Sequence, residues 1–139
     1  MKILIVEDDK EQAELLQRDF IKKIVQPLAP KVQVNIEIAG TLVEALAHAA
    51  TANVTILDLN LPDSDPVKTI SSIGAFRPPV IVMTGTDDED MMISCKLHGA
   101  SHVFVKGQIH GLCRVVLESM MRDVLVTQGF MASPPKHGT

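Results

Sequence analysis

Glu7, Asp8 and Asp9 stand together directly after an apolar run. Asp58 ends a second such run, Thr84 a third, and Lys106 a short fourth. Carboxylates gathered in one pocket repel one another and do not all ionise unless a cation is present. Oxygen ligands without His or Cys suit Mg²⁺. A carboxylate alone is a poor nucleophile toward a phosphoryl group, because both are anionic. A divalent ion and a Lys remove that barrier by neutralising charge on the equatorial oxygens. An Asp such as Asp58 can then take the phosphoryl as an acyl phosphate. The hydroxyl of Thr84 would hydrogen-bond a phosphoryl oxygen that exists only after transfer.

This chemistry requires residues spread from position 7 to position 106 to meet, and the elements between them supply the means. Residues 2–6 are an uninterrupted apolar run, as in a strand buried on both faces. Asp9 and Gln12 resemble a capping box for a first helix carrying Ala13, Leu16, Phe20 and Ile24, closed by Pro27 and Pro30. Val32, Val34, Ile36 and Ile38 alternate with polar residues, as in an edge strand with one wetter face. Thr41 and Glu44 form a second capping box for a helix from Leu42 to Ala50. Residues 54–59 form a buried strand. Asp65 and Pro66 cap and begin a helix through about Ile73. Val80 to Met83 is a fourth strand. Thr86 and Glu89 open a helix that stops at Gly99. Val103 to Val105 is a short fifth strand, and a last helix runs from about Gln108 to Gln128, ended by Gly129.

Strand and helix thus alternate five times. The expectation is an α/β fold: a doubly wound, five-stranded parallel sheet in the flavodoxin-like order 2-1-3-4-5. Sites in such sheets form beyond the carboxyl ends of the strands, where the strand order switches, and Glu7, Asp8, Asp9, Asp58, Thr84 and Lys106 are expected there. One domain over residues 1–129 and a flexible tail over 130–139 account for the length.

Composition removes other classes. The 139 residues carry 13 Lys and Arg against 17 Asp and Glu, a formal charge of −4, which disfavours a basic nucleic-acid surface. Without Trp or Tyr, and with four Phe, a base-stacking platform is disfavoured too. No apolar run approaches the roughly 18 residues needed to cross a bilayer. The start meets three acids too soon for a secretory signal. Cys95 and Cys113 match no metal or redox spacing and read as buried thiols in a reducing cytosol, so a cytoplasmic location is expected.

The fragments ILIVEDD (3–9), TILDLNLPDS (55–64), VIVMTG (80–85) and GASHVFVKG (99–107) resemble the receiver domain of two-component response regulators over about residues 2–125. The resemblance implies that Glu7 and Asp8 are a metal-binding acid pair, that Asp58 is the phosphoacceptor, and that the backbone carbonyl of Asn60 completes a Mg²⁺ site with them. It makes Thr84 the switch hydroxyl and Lys106 the phosphate-pairing cation. Asp9 matches no essential position and reads as a helix cap. Implied partners are a histidine kinase or histidine phosphotransfer protein and a downstream protein, with no direct contact to nucleic acid or membrane. The apolar arc of the last helix is wide. Ile109, Leu112, Val116, Met120 and Val124 can face the sheet, and Val115, Leu117, Met121, Leu125 and Val126 broaden it. That breadth suggests a protein contact, including a homodimer, on the fourth helix, fifth strand and fifth helix.

Three positions depart from the family pattern. Val103 stands where receivers usually carry an aromatic, with Phe104 beside it. Gly107 follows the Lys in place of Pro, so a trans bond, or a strained cis one, is expected there. Pro66 stands where Gly is frequent. Blander roles exist for each site residue. Glu7 and Asp8 would suit a helix dipole, and Asp58 with Lys106 could be a structural ion pair. The acids from Asp87 to Asp90 suit a first helical turn; His98 and His102 suit the surface; Met91, Met92, Met120 and Met121 suit packing. Two other functions compete with phosphoacceptance. One is a receiver-like binding module not controlled by phosphorylation. The other is a Mg²⁺-dependent phosphatase with an Asp nucleophile, which would want an Asp where Asn60 stands. None of these readings requires a turnover enzyme except the last.

Overall fold

The computed structural model describes residues 1–20, 26, 33–106 and 112–130. Its elements are β1 (Lys2–Val6), α1 (Lys10–Phe20), β2 (Asn35–Ala39), α2 (Leu42–His48), β3 (Val54–Asp58), α3 (Pro66–Ser71), β4 (Val80–Thr84), α4 (Glu89–Leu97), β5 (His102–Val105) and α5 (Leu112–Thr127). The five strands form one sheet in the order β2-β1-β3-β4-β5, all pairs parallel. The expected fold class and strand order both hold.

Strand pleating explains the two cores. Leu4, Val6, Leu57, Val80, Val82 and Val103 point to one face and pack with Leu42, Ala45, Ile70 and Cys95 of the helices there. Ile3, Ile5, Val54, Ile56, Ile81, Met83 and Phe104 point to the other, where Ala13, Met121 and Val124 cover them. The three central strands are apolar on both faces for that reason. β2 is an edge: Asn35, Glu37 and Ile38 are exposed and only Ala39 is fully buried. Val32, expected to begin that strand, lies outside the described residues, as do Ile24, Pro27 and Pro30 and the Lys106–Gly107 junction's second residue.

Caps set the helix starts. Asp9 Oδ1 accepts from Glu11 N and Gln12 N, as its reading as a cap requires. Thr41 Oγ1 accepts from Glu44 N at 3.1 Å, and Glu44 Oε2 accepts from Gly40 N at 3.1 Å. Asp65 Oδ1 accepts from Lys68 N at 2.8 Å, with Pro66 at the first helical position.

Several boundaries differ from expectation. α4 is capped by Asp88, not opened at Thr86: Asp88 Oδ1 reaches Asp90 N and Met91 N, whereas Thr86 Oγ1 accepts from Asp88 N one step earlier. α3 stops at Ser71 and passes into a 3₁₀ turn, Ile73–Ala75. Ser71 and Ser72 hydroxyls bond back to Val67 O and Lys68 O, which competes with further α-helical pairing. α2 ends at His48, two residues short of Ala50.

The outer arc of α5 is smaller than its sequence suggests. Met121 and Leu125 are buried with Val124, so two residues read as surplus belong to the interior. Side chains from Leu112 to Glu118, and all of Ile109, are outside the described residues. Gly129, at φ +82°, ends the helix, and Phe130 N donates back to Leu125 O at 2.8 Å. Of the expected tail, only Phe130 is described. Cys95 is a buried free thiol.

Candidate functional site

β1 and β3 are central neighbours, so their carboxyl ends deliver Glu7, Asp8 and Asp58 side by side. Ladder bonds extend past the strand ends and hold the positions: Glu7 N donates to Ala39 O at 2.9 Å and Leu59 N to Met83 O at 3.2 Å. At the far side of β4, Lys106 N donates to Thr84 O at 2.7 Å, which aims the Lys106 side chain back over the strand ends. An open cavity of about 690 Å³ results, lined by Glu7, Asp8, Asp9, Gln12, Asp58, Asn60 and Lys106.

Lys106 Nζ donates to Asp58 Oδ2 at 2.6 Å and lies 3.4 Å from Glu7 Oε2. Asp58 Oδ1 accepts from Asn60 N at 2.9 Å. Both carboxylates are almost fully buried, at 0% and 3% exposure, while the Lys106 side chain is 37% exposed. Glu7 Oε1 accepts from Asp9 N at 3.3 Å, but buried Glu7 Oε2 has no hydrogen-bond partner.

Burial, then the adjoining Asp58 carboxylate, push the Glu7 carboxyl from 4.5 up to about 7; Lys106 and the Asp9 N–H pull the other way without prevailing. Burial acts to lower the Lys106 pKa, but the Asp58 hydrogen bond and the charges of Asp58 and Glu7 outweigh it and raise the ammonium above its ordinary value. Two acids and one cation therefore share too little positive charge.

Glu7, Asp8 and Asp58 each present a carboxylate oxygen within 4.8 Å of the others. The donors are all hard oxygens, and Glu7 has in Oε2 a buried atom without a hydrogen bond. That set fits a divalent cation of the Mg²⁺ or Mn²⁺ kind and not a soft one.

Of the residues singled out in the sequence, Glu7, Asp8, Asp58, Asn60 and Lys106 line one cavity. Thr84 does not. It lies in a neighbouring cavity of about 310 Å³, with Leu59, Asn60, Pro66, Gly85, Thr86 and Met91. Its hydroxyl accepts from Thr86 N at 3.2 Å and lies 3.8 Å from Met91 Sδ. Asn60 borders both cavities. Val103 packs inside the sheet face that carries Val82 and Cys95, and Phe104 points to the opposite face, where His102 stacks on it at 5.4 Å between ring centroids. Phe104 therefore cannot replace the aromatic missing at 103. His98 is exposed, and its Nδ1 lies 2.8 Å from Ser94 O in its own helix.

Sequence reasoning missed three participants. Gln12 borders the acidic cavity, which its place one turn into α1 permits but does not announce. Met91 is the neighbour of Thr84. Asp63 accepts from Leu42 N at 2.8 Å and Val43 N at 3.0 Å, so the loop after β3 is tied to the start of α2. The two N–H bonds, Leu42 first, hold the Asp63 carboxyl below its ordinary value.

A parallel sheet in this order, with an acid trio and a Lys at its carboxyl edge, defines a class of signalling module. The family model for the response regulator receiver domain matches residues 3–115, and the chain belongs to that family of two-component systems. No curated protein matches. Among solved structures, the signal receiver domain of a DNA-binding response regulator from Colwellia psychrerythraea 34H is 29% identical, over 87% of this chain and 98% of that one, with a TM-score of 0.68. The Mn²⁺-bound form of response regulator Rcp1 is 22% identical over 97% and 99%, with a TM-score of 0.61. A response regulator from Burkholderia pseudomallei with a phosphorylated aspartic acid, calcium ion and citrate is 17% identical over 93% and 71%, with a TM-score of 0.66. Receiver domains are generally signalling modules rather than enzymes, and among the described residues no helix is long and apolar enough to cross a membrane.

Proposed function

We propose that this receiver domain accepts a phosphoryl group on Asp58 from a histidine kinase or histidine phosphotransfer protein, in a Mg²⁺-dependent step, and signals through a downstream protein. One observation carries the reading. The Lys106 ammonium is hydrogen-bonded to Asp58 and also ion-paired at 3.4 Å with a buried Glu7 oxygen that makes no hydrogen bond, in a cavity open to a donor. A purely structural ion pair has no use for a second buried acid with one oxygen lacking a hydrogen bond, because such an atom costs stability.

In the reaction, an Asp58 carboxylate oxygen forms a bond to phosphorus as the bond from phosphorus to the donor's imidazole nitrogen breaks. Lys106 offsets charge on the transferring oxygens, and the Asn60 N–H holds the second Asp58 oxygen in place. Glu7, Asp8, Asp58 and the Asn60 carbonyl would hold Mg²⁺, which when bound supplies further charge neutralisation at the phosphoryl oxygens. The product carries about two negative charges where the carboxylate carried one, a net gain of about one beside Lys106, spread over three phosphoryl oxygens.

Acetyl phosphate with Mg²⁺ should label the wild-type chain, with the added mass mapping to Asp58, and Asp58→Asn should remove the label. Labelling that persists in Asp58→Asn refutes the assignment. The orientation of Thr84 toward Met91 favours a second reading, a binding module insensitive to phosphorylation; unchanged partner affinity on labelling would select it.

The homodimer expected on α4, β5 and α5 is kept as part of this proposal. Ile93 and Leu97, 51% and 81% exposed, supply an apolar outer face on α4. A chain that stays monomeric on labelling, by light scattering, removes it.

A further inference from the structure

The Thr84 hydroxyl is nearly inaccessible to solvent and is engaged away from the acidic cavity, between Thr86 N and Met91 Sδ. A thioether is a weak acceptor. A hydroxyl bound to an anionic oxygen makes a bond roughly twice as strong as a neutral one. Charge arriving at Asp58 therefore draws the hydroxyl off Met91, against the loss of that weak bond and a strain on the one from Thr86 N. Something must then fill the volume that Thr84 leaves. Val103 is stiff about its one side-chain torsion and is packed against Val82 and Cys95. Phe104 is on the wrong face. Met91 is half-buried, packs on the same core, has three rotatable side-chain bonds, and borders the cavity beside Thr84. Its backbone N–H is held by Asp88, the α4 cap, so displacement of Met91 pulls on the first turn of that helix.

We propose that Met91 is the partner through which the Thr84 hydroxyl is coupled to α4: the thioether holds the hydroxyl at rest and moves into the vacated space on phosphorylation. This rests on the phosphoacceptor reading, and assigns to a helix residue the role that position 103 cannot perform in this chain. Met91 is a positioning residue here; it touches no reacting atom.

The test uses the full chain with isotope-labelled methionine methyls, titrated with Mg²⁺ and beryllofluoride as a phosphoryl mimic. Bound mimic is followed separately by its fluorine resonance. The Met91 methyl signal, assigned by its loss in Met91→Leu, should move on mimic binding in wild type. It should stay in place in Thr84→Val, although the mimic is bound, and move again in Thr84→Ser, which retains a hydroxyl. A Met91 signal that stays fixed in wild type with bound mimic overturns the coupling, as does an equal shift in Thr84→Val. Absence of any bound-fluorine signal in wild type instead overturns the phosphoacceptor reading, and the coupling with it.

Discussion

The two ends of the sheet are built on opposite terms. At the amino end, Lys2 N donates to Asn53 Oδ1 at 2.7 Å and Asn53 N donates to Lys2 O at 2.8 Å. Asn53 Nδ2 bonds Gln128 Oε1, and Gln128 Nε2 donates to Asn53 O at 3.1 Å, which ties β3 to the end of α5. Lys2 Nζ lies 2.6 Å from His48 Nδ1 and donates to Thr51 Oγ1 at 2.8 Å. These polar atoms are paired with one another, and the buried atom left over in the amino half of β3, Thr55 Oγ1, is a neutral hydroxyl. At the carboxyl end, two buried acids share one Lys and a carboxylate oxygen is left without a hydrogen bond. One end is closed by hydrogen bonds among neutral groups and from the Lys2 ammonium to neutral acceptors, with no buried acid. The other is left short of positive charge, the condition under which a cation or a phosphoryl group gains from entering.

Perturbing each end separately should break this contrast if it is wrong. The largest effect is expected from Asn53→Ala, which strips partners from Lys2 N and Gln128. Stability in urea should fall by roughly 2–4 kcal/mol, while labelling at Asp58 stays at the wild-type rate. A labelling rate that falls with stability would mean that the ends are not independent.

Glu7→Gln should act in the opposite direction. A carboxyl raised in the folded state binds its proton more tightly there than in the unfolded chain, so its contribution to stability is complete below about pH 4.5 and is lost as pH rises through about 7. Without divalent ions at about pH 8, Glu7→Gln should therefore be more stable than wild type by roughly 1–3 kcal/mol, and the difference should vanish below about pH 4.5. Adding Mg²⁺ should stabilise wild type at the higher pH and act much less on the variant. Equal urea midpoints for the two chains across this range would remove the charge shortage from the account.

The smallest effect is expected at the carboxyl end of β2, outside the acidic cavity. Thr41→Ala removes the α2 cap and should cost roughly 0.5–2 kcal/mol, leaving Mg²⁺ affinity unchanged. Circular dichroism melts with a metal titration would check both.

The strands, the caps at Asp9, Thr41 and Asp65, and the acids at the strand ends were legible because each depends on neighbours within a few positions. Period-two alternation also separates Val103 from Phe104, and the structure puts them on opposite faces. Legibility failed where an arrangement depends on two distant segments or on a choice among near-equal caps. Asp88 prevailed over Thr86 through the local path of the chain after β4. Met121 and Leu125 went inside because the covering α5 presents a broader arc to the sheet than a helical wheel assigns.

Sequence periodicity thus determined the alternation of strand and helix, the identity of the chemical groups, and the edge on which they gather, since side-chain alternation and strand termini are local properties. Tertiary structure alone decided that Lys106 reaches Glu7 as well as Asp58, that Asp63 secures α2, and that Thr84 rests on Met91. Those contacts join atoms whose spacing is set by strand register and helix packing together, and no short-range pattern encodes that sum.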